Sequence, residues 1–149
     1  MQIPSPPDPS SPIQHRAPIL CVDRILDASE THSLCEFDVR AGPHVTDGHL
    51  WEATLVEGLA QCAAVMQAFP RSSADGAAAP REKAKAGVGM LVGIRKFEVL
   101  RRPRVGERIT WRVDLIRRLG AFLLAEGRAS CAGEPVATGE LKFYWETAP

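Results

Sequence analysis

The chain has no excess of charge of either sign: 18 lysines and arginines stand against 18 aspartates and glutamates. That balance argues against the broad electrostatic footprint that nucleic acid or an anionic membrane surface requires. No apolar run reaches the length needed to cross a bilayer. There is no CxxC pair. Cys21, Cys35, Cys62 and Cys131 are scattered, which offers no zinc site and is the pattern expected of buried free thiols in a reducing cytoplasm. The first segment, MQIPSPPDPSSP, lacks the basic-then-apolar pattern of a signal peptide, and its proline and serine content is that of a disordered tail over residues 1–12. What remains, residues 13–149, is expected to be one cytoplasmic domain with room for a sizeable core.

The richest pattern is helical. From about Ala53 to Phe69, Leu55, Leu59, Ala63 and Met66 recur at helical spacing, and Val56, Ala60 and Ala64 cover a neighbouring face. Such a helix is buried on most sides, and Pro70 ends it. Yet it carries one carboxylate, Glu57, and two histidines, His44 and His49, stand just upstream in AGPHVTDGHLWE. A carboxyl shielded from water is tuned toward proton transfer near neutrality. Gln61 follows one turn on, on the same face, where it can orient Glu57.

Before the helix, Ile19, Leu20 and Val22 open an apolar run, DASETH has turn composition, and SLCEFDV alternates like a strand. After it, RSSADGAAAPREKAKAG is small, polar and charged and reads as a mobile excursion. Its RxxKxK charges suit a solvated face, the alternative being a docking patch for an acidic carrier protein. Then VGMLVGIRKFEVL, ERITWRVDLIRR, AFLLAEGRASC and VATGELKFYW read as strands. In the second, Ile109, Trp111, Val113 and Leu115 lie on one face against Thr110, Arg112 and Asp114. The tight turns at Leu119-Gly120 and AGEP make the last three strands an antiparallel meander. An antiparallel sheet around a single helix is a two-layer α+β solution. It leaves a sheet edge and part of the helix for a second subunit to cover.

Four stretches resemble, in order, motifs of the FabZ/FabA-like 3-hydroxyacyl-ACP dehydratases. IQHRAPILCVDRIL is similar to their N-terminal PHR-P-LLVDR signature, and LVEGLAQCAAV to their E-A-x-A-Q helix. GIRKFEVLRRPRVGERI is similar to their strand–turn–strand with an R-P-V-x-P-G-D turn, and AGEPVATGELKF to their closing hairpin. The resemblance spans roughly residues 13 to 145 and implies a hot-dog fold, an antiparallel sheet wrapped around one long central helix.

It also implies a chemistry. Removing water across the alpha and beta carbons of a 3-hydroxyacyl thioester needs a base for the alpha proton and an acid for the leaving hydroxyl. In the family a helix carboxylate, at the position of Glu57, meets a histidine from the other subunit of a dimer. Backbone N–H groups at the helix start polarise the thioester carbonyl. The family's G-H-F-P-G turn is missing here. Pro43 stands at the histidine's spacing, with His44 one residue later, and Trp51-Glu52 replaces the P-G before the helix. His44 is the expected partner of Glu57, with His49 as a substitute.

The expected substrate-binding residues are Gln61, Gly48, Trp51 and Ala53. His15, in QHRAP, is expected to organise the N-terminal segment without being catalytic. His32 is expected to be an exposed turn residue, and Asp23 and Arg24 to make a structural polar contact beside the helix. The thioester brings its own phosphopantetheine, so no metal or bound cofactor is implied. The partners are an acyl carrier protein and a second subunit, in a homodimer or a heterodimer with a related dehydratase. The pathway class is fatty acid or polyene/polyketide-type biosynthesis, including the aryl-polyene branch, whose dehydratase-like subunits lack the standard turn. Two alternatives stay open: a hot-dog acyl thioesterase, and a non-catalytic partner subunit.

Overall fold

The computed structural model describes residues 13, 15, 17–68 and 88–146. The expected tail and the excursion with its RxxKxK charges lie outside the described residues.

A hairpin of β1 (Arg24–Ala28) and β2 (His32–Asp38) comes first, with the DASETH stretch turning between them. Two short strands, β3 (Val45–Thr46) and β4 (His49–Leu50), lead into α1 (Glu52–Gln67), which closes on Ala68. The strands β5 (Val88–Val99), β6 (Arg108–Leu119), β7 (Phe122–Cys131) and β8 (Glu134–Glu146) follow. One six-stranded sheet has the order β1-β2-β6-β7-β8-β5, antiparallel at every pairing. The meander expected of the last three strands is present, and β5 returns to pair with β8 at the far edge.

The alternation in β6 decides its faces. Ile109, Trp111 and Val113 are fully buried against the helix side, while Arg112 faces outward and pairs with Asp114. On α1, Leu55, Leu59, Cys62, Ala63 and Met66 are buried in the same core. Val56, Ala60 and Ala64 are only half-buried, so the helix keeps one open apolar stripe, and Glu57 lies beside it. All four cysteines are free and buried.

Asp23 and Arg24 do make a structural contact, though not beside the helix. Arg24 pairs with Glu36 and Asp38, and Asp23 accepts the Asp38 backbone N–H at 2.7 Å. In β2 the core-facing residues are Ser33, Cys35 and Phe37, so Glu36 and Asp38 belong to the opposite face.

Gly58 fixes how closely the helix approaches the sheet. A Cβ placed there would come within 2.2 Å of the Trp111 indole. The ring of β6 therefore lies directly on the helix backbone at the residue that follows Glu57.

Candidate active site

The site begins with the segment that runs across the helix before β1. Ile19, Leu20 and Val22 do not form a strand; side chains of other elements hold this segment instead. Gln61, buried within α1, accepts the Cys21 N–H at 2.7 Å and donates to the Ile19 carbonyl at 3.0 Å. These two backbone partners fix which end of the amide is oxygen. Its remaining N–H donates to Glu57 Oε1 at 2.8 Å, the contact that the one-turn spacing predicts. Trp111 Nε1 donates to the Cys21 carbonyl at 2.7 Å. His44 Nε2 bonds the Pro18 carbonyl at 2.7 Å. Residues 18–21 are thus latched by a loop, the helix and the sheet.

Glu57 is not stripped of water as the apolar helix suggested. Its side chain is 37% exposed, because the stripe of Ala53, Val56, Ala60 and Ala64 around it is open. Cys21 is nearby but is no nucleophile. Burial, then the charges of Glu57 and Asp23, push its thiol up to about 12, so it stays protonated and donates to the Ile19 carbonyl at 3.2 Å.

Neither expected histidine contacts Glu57 within one protomer; the one that does is His15, whose Nε2 lies 3.4 Å from Glu57 Oε1. His44 is half-buried and sits edge-on to Trp51 at 5.9 Å, while its carbonyl accepts the Trp51 N–H. Because Pro18 offers only an acceptor, His44 carries its hydrogen on Nε2 and leaves Nδ1 bare when neutral. His49 Nδ1 bonds the Asp47 carbonyl at 2.8 Å. With Arg101, Arg102, Arg104 and Glu107 it lines a surface cavity of about 380 Å³.

The expected substrate residues separate into two kinds. Trp51 and Ala53 are exposed at the start of α1, and Ala53, Glu57 and Gln61, each four apart, share one face. Trp51 caps the helix without a side-chain hydrogen bond, its indole N–H going to Thr46 Oγ1 at 2.7 Å. Gln61 and Gly48 are supports. The Gln61 amide is spent on the chain itself, which removes it from direct substrate contact. Gly48, with φ +74° beside Asp47 at +53°, makes the tight turn between β3 and β4, and its carbonyl accepts the Val105 N–H.

His15, Trp111 and Gly58 are the residues that reading the sequence undervalued. His15 carried a signal, the QHRAP match. Trp111 and Gly58 carried none beyond core alternation and helix position.

A second polar chain has triad-like distances: Asp27 Oδ2 to His32 Nε2 at 2.9 Å, and His32 Nδ1 to Ser29 Oγ at 2.8 Å. Ser29 Oγ also accepts the N–H groups of Thr31 and His32. This is a turn closure between β1 and β2, and His32 is half-buried as the first residue of β2.

The helix-in-sheet architecture and a helix carboxylate on an open apolar stripe define a protein of the hot-dog class. A model of the ApeP-like family, described as ApeP dehydratase, matches residues 7–148, and the chain belongs to that dehydratase family. It is 26% identical over 137 residues to the 3-hydroxyacyl-[acyl-carrier-protein] dehydratase FabZ of Streptococcus pyogenes serotype M3, covering 88% of this chain and 91% of that one. Among solved structures, the dehydratase heterocomplex ApeI:P from Xenorhabdus doucetiae superposes with a TM-score of 0.72 at 24% identity, covering 91% of this chain and 88% of that one. A hypothetical thioesterase with coenzyme A from Streptococcus pneumoniae TIGR4 shares the fold at a TM-score of 0.64 and 9% identity, over 83% of this chain and 85% of that one. No helix among the described residues is long and apolar enough to cross a membrane.

Proposed function

We propose that this chain is a (3R)-3-hydroxyacyl-ACP dehydratase working in the cytoplasm as half of a dimer, with Glu57 as its acid/base carboxylate. The observation that carries the reading is the placement of Glu57: oriented by Gln61, open to solvent, on an apolar stripe of α1 where an acyl chain can lie. The donors for the thioester carbonyl are the N–H groups of the first turn of α1, where Trp51 leaves the helix start without a side-chain cap. His44 of the partner subunit is the complementary group. Its Nε2 is committed to Pro18 and its bare Nδ1 is free to exchange a proton. His49, turned to the basic cavity, is the substitute. No cofactor of the chain's own is required, because the carrier protein delivers the phosphopantetheine arm.

The sheet edge supports the dimer. Among the described residues β5 pairs only with β8, and Met90, Leu91, Val92 and Ile94 along it are half-exposed. An unpaired apolar edge of that length calls for a second subunit. Replacing Glu57 by Gln should lower turnover by about a hundredfold or more while leaving the dimer intact. Unchanged turnover would remove the assignment.

A second reading is favoured by the missing G-H-F-P-G turn and by the solved ApeI:P pair, a heterocomplex. In it the second subunit is a related dehydratase, and this chain supplies one half of a mixed dimer. Activity appearing only when that partner is added would select it.

A further inference from the structure

We infer that His15 is a positioning residue that, with Gln61, pins one oxygen of Glu57 and leaves the other as the reacting atom; the inference rests on the dehydratase reading of Glu57. Both contacts converge on the same atom. Gln61 Nε2 reaches Oε1 at 2.8 Å and His15 Nε2 reaches it at 3.4 Å. Among the described residues none bonds Oε2. A carboxylate oxygen that accepts the Gln61 hydrogen bond and lies at ion-pair distance from the His15 imidazole is restrained on that side, and the other oxygen keeps its lone pairs for substrate.

The two groups at Oε1 have different characters. Gln61 is buried and built into the helix, and its other bonds go to Ile19 and Cys21. His15 is half-exposed and reaches Glu57 from the N-terminal segment. That segment is secured a few residues later by His44, Gln61 and Trp111. The latching of residues 18–21 therefore does more than close the core, since it brings a histidine of the same protomer to the carboxylate. The trans histidine then faces Oε2, and the two imidazoles approach opposite oxygens of one acid.

The test uses the full chain and a 3-hydroxyacyl N-acetylcysteamine thioester, so that carrier docking plays no part. His15→Ala should lower kcat by about tenfold or more with KM within about threefold. His15→Gln, whose amide can still donate to Oε1, should recover most of that loss. A purely structural role would not be rescued by Gln in kcat alone. An unchanged kcat in His15→Ala, or a rise in KM alone, overturns the inference. The pairing is read separately, without turnover, from the ring resonances of ¹⁵N-labelled His15 in wild type and in Glu57→Gln. A shift on losing the carboxylate supports the clamp, and identical resonances overturn it. If the wild type dehydrates nothing, the dehydratase reading falls, and the resonance comparison alone decides whether His15 holds Glu57.

Discussion

Gln61 donates to Glu57 Oε1 at 2.8 Å while the same amide bridges the Ile19 carbonyl and the Cys21 N–H. One buried side chain thus couples the candidate acid to the segment that precedes the sheet. Gln61→Leu would leave the Cys21 N–H without its partner and the Ile19 carbonyl with only the weak Cys21 thiol bond. The expected cost is about 2 kcal/mol, a fall in Tm on the order of 6 °C for a chain of this size. Thermal unfolding followed by circular dichroism checks it, and turnover should fall alongside because Glu57 loses its orienting donor.

Gly58→Ala tests the contact between α1 and β6. Helix propensity alone would favour alanine by about 1 kcal/mol. The Trp111 indole, 2.2 Å from the new Cβ, must move, and overpacking of that kind costs about 1–3 kcal/mol. The net change should be destabilising, and Trp111→Phe in the same chain should recover part of it, as contacting sites do. Urea unfolding of the two single variants and the double variant measures the coupling.

Stability should fall in acid for a stated reason. Arg101 grips Glu107 in two hydrogen bonds of 2.9 and 2.8 Å, and the Arg104 N–H adds a third at 2.6 Å. Arg101 first, then that N–H, pulls the Glu107 carboxyl from 4.5 down to about 2. Arg24, then Arg108, hold Asp38 well below the usual carboxylate range. Both carboxyls are depressed in the folded state, so their stabilisation is present above the unfolded values and lost as pH falls through the folded ones. The urea midpoint should be flat near neutrality and drop from 4.5 toward 2, with Glu107→Gln showing a shallower drop. Glu107 remains 30% exposed, so salt should weaken the effect.

If Glu57 of one subunit meets His44 of the other, two dead variants should complement. Mixing Glu57→Gln with His44→Ala and allowing subunit exchange gives mixed dimers with one intact site, restoring about a quarter of wild-type turnover at equal amounts. Turnover that stays at background in verified mixed dimers would place the histidine elsewhere. Ile94→Glu, on the exposed edge of β5, should yield monomers in sedimentation and abolish turnover together with the dimer.

Much of this architecture was legible because local patterns and the fold agree. The β6 alternation, the turn at Leu119-Gly120 and the stripe of Leu55, Leu59, Ala63 and Met66 each specify one element and one face, and the structure follows them closely. The site was less legible. Gln61 to Glu57 is a contact within one helix, readable from spacing. His15 to Glu57 joins residues 42 apart (57 less 15) through the latching of residues 18–21, and no periodic pattern encodes that. The exposure of Glu57 was missed for a related reason. The apolar pattern of α1 predicts burial on most sides, and it does not mark Val56, Ala60 and Ala64 as the side that stays half-open around Glu57.

The most direct test of the central claim is to incubate the purified chain with a 3-hydroxyacyl carrier-protein thioester and weigh the intact carrier by mass spectrometry. The account predicts a carrier lighter by one water, with the acyl chain still attached. Release of the acyl chain as free acid, leaving the bare carrier arm, would contradict it.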